Sequence, residues 1–244
     1  MTVDDKKVLV VIPVYNEHGR IGEIVRAVKY VLPSTNVLVV NDCSSDDTGR
    51  EARKAGAAVV SHPINLGYGA ALETGYLYAL KYGYEFVVQM DGDGQHLPAE
   101  IPHMLVPVLE GDADIVIGSR YLSSSNTYKT SFCRRAGQKF FGMLLSLITG
   151  YKITDPTSGF QCLKRDAFEL FSRGQFPHDF PDADVLLMAH YAGFRVKEIP
   201  VVMVERSGGE SMHAGLKPLY YIIKMTLSVG MVILSQRRWK QYVP

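Results

Sequence analysis

Asp91 and Asp93 stand two residues apart in Met90-Asp91-Gly92-Asp93-Gly94-Gln95-His96. Two carboxylates delivered to one short turn repel each other unless a cation neutralises them. Oxygen ligands of this kind suit Mg²⁺ or Mn²⁺, which keep several waters and also bind substrate phosphates. Gly92 and Gly94 leave room for close backbone approach and for positive φ. The apolar run Phe86-Val87-Val88 delivers the pair to the end of a buried strand. This is the pattern expected of a nucleotide diphosphate held through a metal. An isolated Asp-Gly turn is more often a solvated loop, so the weight of the pair depends on what surrounds it.

The chain around the turn alternates strands with helices. Val8–Val14 is a continuous apolar run that predicts a strand buried on both faces. Ile21, Ile24, Val25 and Val28 have helical spacing within 21–31, and Val37–Val40 and Ala58–Ser61 read as further strands. A helix is expected from Ala70 to about Tyr82, another opening at Pro98, and a strand over Ile115–Gly118. Such alternation implies right-handed crossovers and a mostly parallel α/β sheet with flanking helices. Polar loops after the first, second and fourth strands then gather at the carboxyl edge, where such sheets bind ligands.

Two of those loops carry further candidates. Pro13-Val14-Tyr15-Asn16-Glu17 supplies an aromatic ring for stacking on a base and a carboxylate for ribose or base hydrogen bonds, and Asp42 offers a second carboxylate. The plainer reading makes Tyr15 a packing residue and Asp42 a helix cap.

Composition narrows the classes. The chain has 244 residues, enough for one large α/β domain, with 26 Lys and Arg against 25 Asp and Glu. That balance gives no basis for a nucleic-acid surface. Cys43, Cys133 and Cys162 are scattered without a C-x-x-C, which argues against zinc or a disulfide framework and fits a reducing cytoplasm. The sequence passes from its first residues into a strand, with no signal-peptide pattern.

In their order, Ile12-Pro13-Val14-Tyr15-Asn16-Glu17, Asn41-Asp42-Cys43-Ser44-Ser45-Asp46, Asn65-Leu66-Gly67-Tyr68-Gly69-Ala70-Ala71 and the Asp91 turn resemble the family 2 glycosyltransferases of the GT-A fold. Gly118-Ser119-Arg120, Asp155-Pro156-Thr157-Ser158-Gly159-Phe160 and Arg206-Ser207-Gly208-Gly209-Glu210-Ser211 bring the resemblance to the dolichyl- or polyprenyl-phosphate hexose synthases, mannose or glucose. The resemblance implies that Pro13, Tyr15, Glu17 and Asp42 surround the base and ribose of a nucleotide sugar, with Asp91 and Asp93 holding the metal and Gln95 as a further ligand. It implies catalytic duties for Asp91, Asp93, Arg120 and Arg206. Arg120, Arg134 and Arg206 would meet the acceptor phosphate or donor diphosphate, for which paired planar donors are suited; Arg135 is the alternative to Arg134.

A phosphate acceptor is already anionic and needs no strong base, whereas a hydroxyl acceptor does. Asp182 and Asp184 lie where relatives using hydroxyls place that base, although Asp182 before an apolar run is expected to cap a helix. Asp155 is expected to support its loop. Tyr68 stands where many relatives have lysine, Gln138 where some synthases have serine, and Met212-His213 where lysine is common. Transfer to a hydroxyl of a soluble or polymer-linked glycan is therefore the alternative activity, and a non-catalytic nucleotide-binding protein a further one. Gly67-x-Gly69 lacks the third glycine of a dinucleotide site.

The expected division is a catalytic domain over 1–211 and an amphipathic, interfacial helix with a basic tail over 212–244. Leu216–Leu234 is apolar but interrupted by Lys217 and Lys224, and Arg237, Arg238, Trp239 and Lys240 follow. That arrangement predicts a helix lying in the headgroup region on the cytoplasmic membrane face and not spanning it. The apolar pattern Phe140–Ile148 is expected to join it. A small membrane-protein partner or a homo-oligomer would cover the same surface.

Overall fold

The computed structural model describes residues 7–122, 132–174, 176–179, 181–205, 217–240 and 242, and for 132–134 and 217–221 the backbone only. An inner strand of its sheet, β1 (Val8–Val14), is buried along all seven residues as its unbroken apolar run requires. β1 pairs in parallel with β2 (Asn36–Asn41) on one side and β4 (Phe86–Gln89) on the other. β3 (Ala58–Ser61) extends the β2 side. Beyond β4 come β6 (Gln161–Lys164), β5 (Ile115–Ser119) and β7 (Val196–Pro200), giving the order β3-β2-β1-β4-β6-β5-β7. β6 runs antiparallel to both β4 and β5, and β5 pairs in parallel with β7. The sheet is mostly parallel, as expected; the antiparallel insertion of β6 was not legible in its four residues.

Alternation along β1 divides the core in two. Val8, Val10, Ile12 and Val14 face a layer containing α1 (Ile21–Val31), α2 (Thr48–Lys54) and α4 (Ile101–Leu109). Leu9 and Val11 face α3 (Tyr68–Lys81), α5 (Phe132–Thr149), α6 (Arg165–Phe171), α7 (Ala183–Tyr191) and α8 (Lys217–Leu234). The short α9 (Gln236–Lys240) follows and buries Trp239.

Two helix starts differ from the sequence expectation. Pro98 opens a single 3-10 turn, and α4 begins only at Ile101. α3 begins at Tyr68, because Gly67 takes φ +96° at its N-cap and starts the helix two residues early. The chain reverses its strand order at β1, with β2 on one flank and β4 on the other. The crevice outside the carboxyl ends of these strands is where the first, second and fourth loops meet.

Candidate active site

The β4 loop forms the floor of the crevice. Gly92 passes so close to β1 that a Cβ there would lie 2.5 Å from Val14 Cγ1, and Gly94 turns the chain at φ +83°. The two glycines thus serve the two purposes expected of them, one each. Asp93 Oδ1 accepts the Gln95 backbone N–H at 3.0 Å, and its Oδ2 accepts Gln95 Nε2 at 3.0 Å, so the side chains of 93 and 95 are adjacent.

Asp91 is held more elaborately. Its Oδ1 accepts the Tyr68 phenol at 2.8 Å, from the first turn of α3. Its backbone N–H donates to His96 Nδ1 at 2.9 Å, which leaves the ring proton on Nε2, 3.6 Å from Asp91 Oδ2. The His96 ring is buried and lies parallel to Phe160, centroids 4.8 Å apart. Gly159 approaches from below: a Cβ there would sit 2.7 Å from Tyr68 Oη and 3.1 Å from Asp91 Oδ1. Burial of the phenol, with the Asp91 charge beside it, holds the Tyr68 pKa well above the ordinary phenol range, so Tyr68 is a proton donor here. The charge of Asp182 acts on the same phenol in the same direction.

The first and second loops are tied to each other. Asn16 and Cys43 both adopt positive φ, +55° and +63°. Asn16 N–H donates to Ser44 Oγ, and Asn16 Oδ1 accepts the Ser45 N–H, both at 2.9 Å. Pro13 is buried at the end of β1, and Tyr15 is 53% exposed beside it, with its ring turned to solvent rather than packed in the core. Glu17 is buried and its Oε2 accepts Arg20 at 2.8 Å. Asp42 is also buried. Its Oδ1 accepts the N–H of Leu66 and its Oδ2 that of Gly67, both at 2.8 Å, with His62 Nδ1 2.8 Å from Oδ1. Asp42 therefore does not cap the helix that follows it; it shapes the turn that launches α3.

Arg120, at the end of β5, lies in a buried pair with Asp155. Its Nε donates to Oδ2 at 2.7 Å, its Nη2 to Oδ1 at 2.6 Å and its backbone N–H to Oδ2 at 3.0 Å. Thr157 Oγ1 accepts from the same Nη2 at 2.9 Å and from Gln138 Nε2 at 2.8 Å, while Gln138 Oε1 accepts the Tyr121 phenol. Asp155 does support its loop, as expected. Glu198 accepts the N–H groups of Thr154 and Asp155, and burial raises its own pKa. Of Arg134 the backbone alone is described, in the first turn of α5, and Arg206 lies outside the described residues.

Asp182 occupies the N-cap position of α7, but its side chain makes no capping bond. The sequence expectation of a cap is corrected in this respect: Asp184 Oδ1 accepts the N–H groups of Asp182 and Val185, at 3.1 and 2.9 Å. Tyr68, His96 and Gly159 were not identified as site residues by sequence reasoning. The signal available was their place inside the quoted motifs, and what was missing was the fold that brings 68, 91 and 159 together.

The donor set fits a hard divalent cation. Asp91, Asp93 and the Gln95 amide oxygen are oxygen ligands, and Gly159 adds no side chain of its own beside the Asp91 carboxylate. Among the described residues no three His, Cys, Asp or Glu side chains gather into a metal cage, so a zinc-type site is not the match.

Residues 9–171 match the family model "Glycosyl transferase family 2". Polyprenol monophosphomannose synthase of Mycolicibacterium smegmatis is 32% identical over 86% of this chain and 82% of its own. Undecaprenyl-phosphate mannosyltransferase of Micrococcus luteus is 30% identical over 86% of this chain and 88% of its own. Among solved structures, glucosyl-3-phosphoglycerate synthase from Mycobacterium tuberculosis in complex with Mn²⁺ and UDP-glucose superposes with a TM-score of 0.68 at 20% identity, covering 93% of this chain and 81% of that one. The loops meeting at the carboxyl ends of β1, β2 and β4 thus sit on a GT-A scaffold, and the chain belongs to the family 2 glycosyltransferases.

Proposed function

We propose that the enzyme transfers a hexose from a nucleotide sugar to a polyprenyl or dolichyl phosphate, with inversion at the anomeric carbon. The observation that carries this reading is the Asp91–Gln95 turn, set at the strand-order reversal with its first carboxylate oriented by neighbouring donors. Pro13, Tyr15, Glu17 and Asp42 border the base and ribose. Two of these act differently from one another: Tyr15 is open for stacking, whereas Asp42 builds the adjoining turn and contacts the nucleotide through the shape it imposes. Asp91, Asp93 and Gln95 would hold Mg²⁺ or Mn²⁺, which when bound supplies charge stabilisation to the departing diphosphate.

In the transfer, an acceptor phosphate oxygen forms the bond to the anomeric carbon. The bond from that carbon to the donor β-phosphate oxygen breaks, and its electron pair leaves with the nucleoside diphosphate. No proton need be removed from such an acceptor, so charge complementarity and alignment supply the catalysis. Arg120, Arg134 and Arg206 are proposed to meet the phosphates. Arg120 does so from a guanidinium whose plane is fixed by Asp155.

The membrane side of the reading rests on α5 and α8, which touch each other. Each buries one stripe, Phe141 and Leu145 on α5 and Met225, Val229 and Val232 on α8. Each also leaves apolar residues in solvent, Phe140, Met143 and Leu147 on α5 and Ile223, Leu227, Met231 and Leu234 on α8. No described helix is long and apolar enough to cross a membrane. Lipid contact through this face, with Arg237, Arg238 and Lys240 at the headgroups, brings the enzyme to its acceptor as a peripheral protein of the cytoplasmic face. A small membrane-protein partner or a second copy would occupy the same stripes. Residues 212–244 would then be the docking segment of a catalytic unit formed by 1–211.

A second reading has its own observation. The Asp182 charge acts on the Tyr68 phenol, which itself donates to Asp91. In this reading Asp182 takes the proton from a hydroxyl acceptor. Incubation with radiolabelled GDP-mannose or UDP-glucose, a divalent cation and membranes containing polyprenyl phosphate tests the main reading. Mild-acid-labile label in the organic phase supports it and identifies the sugar. Label confined to soluble glycan favours the second.

A further inference from the structure

Asp91 is fixed in an unusual manner, by donors that do not cancel its charge. A carboxylate rotates broadly about its terminal torsion unless both oxygens are engaged. Here Oδ1 receives the Tyr68 phenol at 2.8 Å, and Oδ2 faces His96 Nε2 at 3.6 Å. His96 cannot turn away, because its Nδ1 accepts the Asp91 backbone N–H and its ring lies on Phe160.

Tyr68 is equally constrained. The Gly69 N–H donates to the His178 carbonyl at 2.7 Å, and a Cβ at Gly69 would fall 1.9 Å from the Pro177 carbonyl oxygen. The Asp42 carboxylate grips the two residues ahead of Tyr68. Gly159 then leaves just enough room for the phenol to reach Asp91. A lysine at this position would also orient the carboxylate, but would bring a positive charge to the place where a cation binds.

We propose that Tyr68 is a positioning residue which sets the divalent-cation affinity of the Asp91 turn by holding the Asp91 carboxylate in its binding orientation. This rests on the reading of Asp91 and Asp93 as the metal holders. The general physics is that of outer-shell hydrogen bonds, which orient a ligating group and preserve its basicity.

The test is Mn²⁺ titration of the full chain with saturating UDP and separately with saturating GDP, scored as loss of the free-ion paramagnetic resonance signal beyond that of a protein-free blank with the same nucleotide. Tyr68→Phe removes one hydroxyl and keeps the ring. It is expected to weaken Mn²⁺ binding by about 10-fold or more, the usual effect of losing an outer-shell partner, while its thermal midpoint stays near that of the parent. Tyr68→Leu removes the same hydroxyl without crowding Asp91 and is expected to weaken Mn²⁺ binding too; it decides the matter if Tyr68→Phe does not fold. Parental Mn²⁺ affinity in folded Tyr68→Phe overturns the role of Tyr68 alone. If the parent fails to bind Mn²⁺ both with UDP and with GDP, the metal reading of the turn falls and this inference falls with it.

Discussion

At the scale of single residues, the site contains two kinds of charged group with different liabilities. Asp93 is half-buried and accepts two hydrogen bonds from Gln95 within its own turn. Asp93→Ala is expected to abolish metal-dependent transfer while the chain stays folded. Assay at increasing Mn²⁺ together with a urea melt checks both halves, and full turnover in the variant would remove the metal from the account. Arg120 is the opposite case. Asp155 is 0% exposed, so Arg120→Ala leaves a buried carboxylate without its ion-pair partner. Loss of a buried partner costs about 3–5 kcal/mol. The substitution is therefore predicted to harm folding as well as transfer. Arg120→Lys separates them, retaining charge while losing the paired geometry. Its KM for the phosphate acceptor should rise with the thermal midpoint far less affected than in Arg120→Ala.

At the scale of elements, α8 is fastened to the site side of the molecule by polar contacts as well as apolar ones. Lys224 pairs with Asp179, and Ser228 Oγ donates to Asp184 Oδ2 at the start of α7. Burial raises the Asp184 pKa, only partly offset by those hydrogen bonds. The folded state therefore holds this proton more tightly than the unfolded chain. Its contribution to stability is greatest at low pH and is lost as pH rises from the ordinary carboxyl range through the raised folded value. Glu198 has the same sign, whereas Asp114 and Asp46, lowered by their hydrogen bonds, lose stability as pH falls through their folded values. Asp184→Asn should flatten, without abolishing, the decline in urea stability as pH rises above the ordinary carboxyl range. An unchanged slope would show that Asp184 ionises as freely in the fold as outside it.

The same elements show how much the sequence disclosed. β1 was legible because seven apolar residues in a row leave a strand no exposed face. The Asp91 turn was legible because its spacing is local. β6 was not, since four residues flanked by a loop have no period of their own, and its antiparallel place depends on β4 and β5 already being present. Arg120 with Asp155, and Tyr68 with Asp91, are contacts across 35 and 23 positions that no local pattern encodes. Asp182 was given a capping role on the strength of its position, and it is the Asp184 side chain that accepts the Val185 N–H instead.

At the scale of the whole molecule, the sheet presents its loops at one edge while α5 and α8 present apolar residues to solvent. Leu147 and Leu234 are 82% and 88% exposed, exposures that a lipid surface would relieve. Met231→Glu is expected to lower partitioning into phosphatidylglycerol-containing vesicles roughly 10-fold, the equivalent of losing one buried apolar side chain. Sedimentation with vesicles measures it, and unchanged partitioning would assign this face to a protein partner or a second copy. The central claim concerns the acceptor, and the most direct measurement compares polyprenyl phosphate with the corresponding polyprenol, for the parent enzyme and for Asp182→Asn. The account predicts label transfer to the phosphate alone, retained in Asp182→Asn because no acceptor proton has to be removed. Transfer to the alcohol, lost in Asp182→Asn, would contradict it and establish Asp182 as the base of a hydroxyl-directed glycosyltransferase.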